Sequence, residues 1–339
     1  MPFRSFLYRL LTCGETGIAR TTRNRRRAIA ICLVMLGSLQ LFPPTSRSLE
    51  QPLESNSTAA EEPITPVPEP PTTDPLKIRL GERLFGDPRL SHDNSRSCLS
   101  CHDLGTNGAT TKSQDLGLDG SSLPLNTLTL FNAVLSFRFG WEGKLRTLES
   151  DAKAALENPR IMGSSISEVV EKLAADPGMR RDFTTTYGRG PDAGNIPDAI
   201  VSFERTLVTP GSRFDRWLAG DAAALSANEL EGYRLFKSLG CVSCHQGVNI
   251  GGNLFQRQGI FRPLAPKPEI VRVPSLRNVA TTAPYFHDGS EPNLGDAVRK
   301  MAAAQLDRTL SDQQVDSIVA FLRALTGRYR DRPVVGASP

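Results

Sequence analysis

The stretch Cys98-Leu99-Ser100-Cys101-His102 recurs 143 residues later as Cys241-Val242-Ser243-Cys244-His245. Two thiols two residues apart can each form a thioether to one vinyl group of a haem. The histidine that follows then lies where its imidazole can bind the iron. Four of the chain's six cysteines and two of its four histidines fall in these motifs. Zinc sites made from Cys-x-x-Cys pairs usually bring the pairs within about 12 to 20 residues of each other. A thioredoxin-type redox pair belongs with a β-α-β pattern that this chain lacks. Two covalent haems are therefore expected, and 339 residues suffice for two domains with one motif each. Aromatic content is only 6%, which suits domains whose cofactor supplies much of the apolar core.

The net charge of +4 belongs to the amino terminus. Residues 1–50 hold eight arginines against Glu15 and Glu50, a balance of +6, so subtraction leaves −2 for residues 51–339. That body shows no basic field for nucleic acid. Arg23, Arg25, Arg26 and Arg27 precede the apolar run Ala28–Phe42, broken only by Gly37, Ser38 and Gln40. Such a run reaches about 22 Å as a helix, short of a hydrocarbon core of roughly 30 Å. It reads as a secretory leader over residues 1–42, and export to the periplasm follows. The long basic region and the lack of an A-x-A site leave an uncleaved membrane tether through residues 28–42 open. Cys13 and Cys32 lie in this leader. Residues 43–75 carry nine prolines among Ser, Thr and Glu, and read as a disordered linker.

Helical patterning begins near Leu76. Ser165 with Glu168, and Ser226 with Glu229, have the spacing of capping boxes. After Ser311, Val315, Ile318, Val319, Leu322 and Leu325 share one helical face, and Gly327 ends it. Few stretches alternate with period two, so the body is expected to be mainly α. The domain boundary is placed between Thr209 and Ser226, giving haem domains at 76–220 and 221–330. The two Cys-x-x-Cys-His motifs are the only internal repeat apparent in the sequence.

Beyond the motifs, residues 76–327 resemble the bacterial dihaem cytochrome c peroxidases and their relatives of the MauG type. The resemblance rests on Gly81–Ser91, Asn126–Ala133, Trp141-Glu-Gly-Lys144 with Leu148-Glu149, and above all Pro274–Gly289. It implies two class-I cytochrome c-like haem domains packed against each other. The carboxy-terminal haem would relay electrons to the amino-terminal one, where hydrogen peroxide is reduced to water. The implied donor is a small periplasmic cytochrome c or cupredoxin, and a homodimer is left open.

The resemblance also assigns residues. His102 and His245 bind the two irons, and Met301, fourteen residues after His287, completes a His/Met pair at the relay haem. Read from spacing alone, Leu294, Ala297, Val298 and Met301 are equally a core stripe. Asn126, Thr282 and Pro284 match the family's calcium positions between the haems, and amide and backbone oxygens suit that ion. Trp141 matches a tryptophan between the haems, either a core aromatic or a stepping stone for electrons. Three positions depart from the family. Leu118 stands where many members carry a histidine on the resting amino-terminal iron. Ile161 replaces the distal glutamate, and Asp151 the distal glutamine. An open first haem with weakened peroxidase activity is therefore expected, with Asp151 or Glu157 as substitute acids. His92 is a surface residue or, less simply, a ligand. The competing readings are an electron-transfer or sensing cytochrome and a MauG-like oxidase of a protein substrate.

Overall fold

A computed structural model describes residues 62–264 and 268–336. The leader over residues 1–42 lies outside the described residues. Among those described, no helix is long and apolar enough to cross a membrane.

The described chain is mainly helical: α1 (Pro75–Phe85), α2 (Leu148–Glu157), α3 (Ile166–Ala175), α4 (Pro177–Tyr187), α5 (Asn195–Glu204), α6 (Arg213–Leu218), α7 (Ala227–Ser238), α8 (Leu294–Leu306) and α9 (Asp312–Ala324). Two short antiparallel hairpins complete it, β1 (Phe255–Arg257) with β2 (Ile270–Arg272) and β3 (Arg328–Tyr329) with β4 (Arg332–Pro333). Helix starts follow local chemistry. Asp74 caps α1 ahead of Pro75, and Ser226 and Glu229 form the full box at α7. At α3 only half the expected box exists. Ser165 accepts from Glu168 N at 3.2 Å, but the Glu168 carboxylate turns away to His92 and Lys172.

Two crossed helix pairs carry the architecture, α1 with α5 and α7 with α9. A Cβ at Gly81 would collide with the Ala199 carbonyl, and one at Gly232 with that of Ser317, so only glycine permits these close crossings. Four residues beyond each contact a phenylalanine faces its partner, Phe85 to Phe203 at 5.4 Å and Phe236 to Phe321 at 5.3 Å.

The likeness continues, which corrects the expectation that the haem motifs are the only repeat. Asn132 and Asn278 both adopt left-handed φ, 64° and 60°, and each opens a 3-10 turn. Isolated bridges follow at Phe139–Leu145 and Tyr285–Glu291. Thr147 then caps α2 as Asn293 caps α8, and α2 packs on α5 as α8 packs on α9. The Asn132 N–H donates to Leu207 O and the Asn278 N–H to Leu325 O, each just past the closing helix. Helices α3 and α4 are additions to the first half and the β1–β2 hairpin to the second. Side-chain identities have diverged, so the periodicity shows in backbone geometry rather than in letters.

The two halves exchange their ends. Residues 62–74 hold no regular structure, but they are packed, which corrects the disordered linker over that part; residues 43–61 lie outside the described residues. Ile64 is fully buried in the second half's core, Lys237 reaches Glu62 at 3.1 Å, and Arg277 donates to Thr65 O at 2.8 Å. An extended proline-rich segment keeps its carbonyls free, and here buried donors from the core satisfy them. Phe214 and Leu218 of α6, which lie within 76–220, also join the second core. In the opposite direction, Val334 beyond β4 packs with Phe85, Phe131 and Phe203 of the first half, and Arg330 pairs with Glu82 at 2.8 Å.

Candidate functional site

Both Cys-x-x-Cys-His motifs fold alike. Cys98–Ser100 and Cys241–Ser243 are single 3-10 turns, and the N–H of His102 and of His245 each donates at 3.0 Å to the first cysteine's carbonyl. This turn places both thiols and the imidazole along one wall. His102 Nδ1 lies 3.1 Å from Gly108 O and His245 Nδ1 3.2 Å from Ile250 O. A carbonyl can only accept, so Nδ1 carries the proton and Nε2 keeps its lone pair for a metal. Burial pushes both imidazoles below the usual histidine range, His245 to about 4. Both are neutral, as ligation requires. Burial raises the thiols instead, Cys98 to about 12 and Cys241 to about 11. Among the described residues no three His, Cys, Asp or Glu cluster as a metal site.

A cavity of about 300 Å³ opens beside the second motif. Cys241, Cys244 and His245 line it, and so do Leu294, Ala297, Val298 and Met301 of α8. The stripe that spacing alone reads as core thus lines the same apolar cavity as the imidazole. Two cysteines, a neutral histidine with a free Nε2 and an apolar cavity fit haem c. The first motif shares the turn and the buried, neutral imidazole, and Cys98 packs against both adjoining cores of the first half.

From the second motif the cavity runs along Asn126–Ala133 and Trp141 to Asp151. Trp141 is buried and donates from Nε1 to Asn126 O at 2.7 Å, and its ring meets His287 edge-on at 6.3 Å. Asn126, Thr282 and Pro284 line the same cavity. The Asn126 amide nitrogen donates to Lys112 O and Ser113 O, which leaves its Oδ1 as an available oxygen.

The acids separate sharply. Asp151 lines the cavity, and burial raises its carboxyl to about 6 against the opposing pull of Arg272. Glu157 is exposed, within 3.7 Å of Lys153, and does not line the cavity. Residues six apart on a helix point roughly 120° away from each other, so α2 cannot bring both to one site. Leu118 and Ile161 lie on loops stapled together, with the Leu118 N–H donating to Arg160 O at 2.9 Å. Ile161 packs against the core around Leu156 and Met162. His92 is an exposed side chain 3.0 Å from Glu168.

Sequence reasoning missed two groups. Glu204 ends α5 with no hydrogen bond or ion pair to its carboxyl among the described residues. Burial, with Asp151 and Glu149 nearby, raises it to about 8, and its field reaches Cys98. Arg272 is buried, with Nε and Nη1 donating to Gly140 O and Gly252 O, both at 3.1 Å, and Nη2 to Arg138 O. Its ring-facing side lies 5.2 Å from the centroid of Phe255. Neither position carries a motif; burial alone marks them.

Residues 75–223 match the family model described as di-haem cytochrome c peroxidase, and residues 230–326 that of cytochrome c. The chain is 39% identical over 290 residues to cytochrome c551 peroxidase of Nitrosomonas europaea, covering 80% of this chain and 86% of that one. It is 41% identical over 297 residues to cytochrome c peroxidase Ccp of Escherichia coli, covering 81% of this chain but 64% of that relative's length. A solved MauG-like protein associated with microbial copper homeostasis superimposes with a TM-score of 0.68 at 26% identity, over 77% of this chain and 93% of that one. Likeness of this extent, over a fold with two equivalent haem motifs, makes the chain a member of the di-haem cytochrome c peroxidase family.

Proposed function

We propose that this protein reduces hydrogen peroxide to water in its first half, with electrons received in its second half from a small c-type cytochrome or cupredoxin. The observation that carries this reading is an asymmetry. In the second half His245 and Met301 line one cavity, whereas Leu118 and Ile161, the departures in the first half, offer no ligand at all. Haem c, when attached through Cys98 and Cys101 and through Cys241 and Cys244, supplies redox-active iron. His102 and His245 would hold the two irons, and Met301 would be the second protein ligand at the relay site. Trp141, buried on the cavity wall between the halves, shortens the route for electrons. Asn126 Oδ1 with the backbone oxygens of Thr282 and Pro284 would hold calcium there.

Peroxide reduction needs two protons as well as two electrons, and a positioned acid typically contributes about 10²- to 10⁴-fold. Ile161 has none to give, so activity is weakened, and Asp151 is the acid on the cavity wall. The protein acts in the periplasm after export. Steady-state consumption of peroxide by the haem-loaded chain with a reduced donor tests the reading. Two thioether-linked haems by mass spectrometry and measurable turnover are expected. Two haems without turnover would instead favour an electron-transfer or sensing cytochrome.

A further inference from the structure

The duplication can be followed residue by residue. An offset of 146 residues relates Asn132 to Asn278, both left-handed, and the bridge Phe139–Leu145 to the bridge Tyr285–Glu291. It also relates the caps Thr147 and Asn293 and the first residues of α2 and α8, Leu148 and Leu294. No insertion intervenes, so the register carries on through the helices. Asp151 corresponds to Ala297, Ala152 to Val298, and Ala155 to Met301.

The interface between the halves obeys the same relation. The Asn126 N–H donates to His287 O at 2.8 Å, and the Arg272 N–H to Trp141 O at 2.7 Å. Residues 126 and 272 are counterparts, and so are 141 and 287, whose rings meet edge-on at 6.3 Å. Contacts in which i meets j′ while i′ meets j are the signature of a two-fold relation. The correspondence is therefore spatial, and α2 stands to the first motif as α8 stands to the second.

We propose that Ala155 determines which half reacts, because it occupies in the first half the place that Met301 occupies in the second. This rests on the reading of Met301 as the relay iron's second ligand. Ala155 is half-buried on α2, and a methyl group has no lone pair to offer a metal. A methionine there would reach toward His102 as Met301 reaches toward His245. One side chain would thus decide between a site that admits a small ligand and one that only passes electrons.

The test is Ala155→Met in the full haem-loaded chain, read by electron paramagnetic resonance and by the thioether-to-iron charge-transfer band. The wild type should show one high-spin and one low-spin haem. The variant should show two low-spin haems, about twice the charge-transfer intensity, and at least tenfold weaker cyanide binding. Ala155→Leu, equal in bulk but without sulfur, should stay high-spin. A first haem that remains high-spin in an Ala155→Met variant carrying both haems overturns the proposal, as does a low-spin Ala155→Leu. If Ala155→Met does not mature, Met301→Ala gives the converse. Its second haem should become high-spin and bind cyanide, and a second haem left low-spin refutes the correspondence. A wild type lacking the charge-transfer band would show instead that the Met301 reading has failed, and the proposal with it. None of these readouts depends on peroxide turnover, so they remain decisive even if the peroxidase reading fails.

Discussion

Glu204 shows what burial does to a single residue. Its carboxyl ends α5, where helix carbonyls disfavour negative charge, and two further carboxyls of α2 lie nearby. The folded chain therefore holds this proton up to about 8 against 4.5 in the ordinary state. A raised value means that the folded state binds more protons than the unfolded one across that interval, so stability falls as pH rises through it. Glu204→Gln removes the titration. Urea midpoints of the variant and the wild type should coincide near the acid end and diverge increasingly in the variant's favour up to about pH 8. A constant difference across the range would exclude Glu204 as the source. Ile161 poses the opposite question. Ile161→Glu would put an acid where the family resemblance expects one, and on the proposed function peroxide turnover should rise by about tenfold or more. The same change puts a carboxyl against the core around Leu156 and Met162, so a drop of roughly 1–3 kcal/mol in unfolding free energy should accompany it.

At the scale of elements, each half is a helix pair locked at a glycine. Gly81 meets Ala199 and Gly232 meets Ser317 backbone to backbone, with no flexible side chain in between to yield. Gly232→Ala should therefore lower stability by about 1–3 kcal/mol through overpacking, although alanine is the better helix former. Calorimetry of the haem-loaded protein checks this, and an unchanged melting temperature would mean that the α7–α9 crossing opens freely. The N-terminal box of α7 is a second lever. Ser226 accepts from the Glu229 N–H while Glu229 accepts from the Ser226 N–H, and Arg213 also binds the Glu229 carboxylate. Ser226→Ala should cost about 1 kcal/mol, visible in the same measurement.

Across the whole molecule, the halves are joined by exchanged ends and by Arg272. That guanidinium donates to carbonyls of both halves, Arg138 and Gly140 on one side and Gly252 on the other, while its own backbone N–H holds Trp141. Arg272→Met leaves three carbonyls without this donor, the Gly252 one buried, and should lower unfolding free energy by about 1–3 kcal/mol. It should also slow electron passage between the haems, because the Trp141 loop keeps its backbone bond to residue 272 but loses the guanidinium bonds at Arg138 O and Gly140 O. Flash reduction of one haem with the spectrum of the other as readout measures this. Equal rates in the variant and the wild type would show that Trp141 is held by other contacts.

The sequence by itself determined what covalent chemistry and local periodicity can state. Cys98, Cys101, Cys241 and Cys244 with His102 and His245 name the cofactor. The capping residues and apolar stripes name α7 and α9, and the motif order names the family. It did not show that Glu204 is a buried acid and Arg272 a buried cation, since each stands in a stretch with no distinguishing neighbours. Nor did it separate Asp151 from Glu157, which look alike until α2 turns one inward and the other to solvent. The duplication stayed hidden for the same reason. Its surviving marks are left-handed asparagines, isolated bridges and glycine crossings, and these are properties of backbone path. Burial and pairing depend on which distant segments meet, so only the tertiary structure made Ala155 the counterpart of Met301.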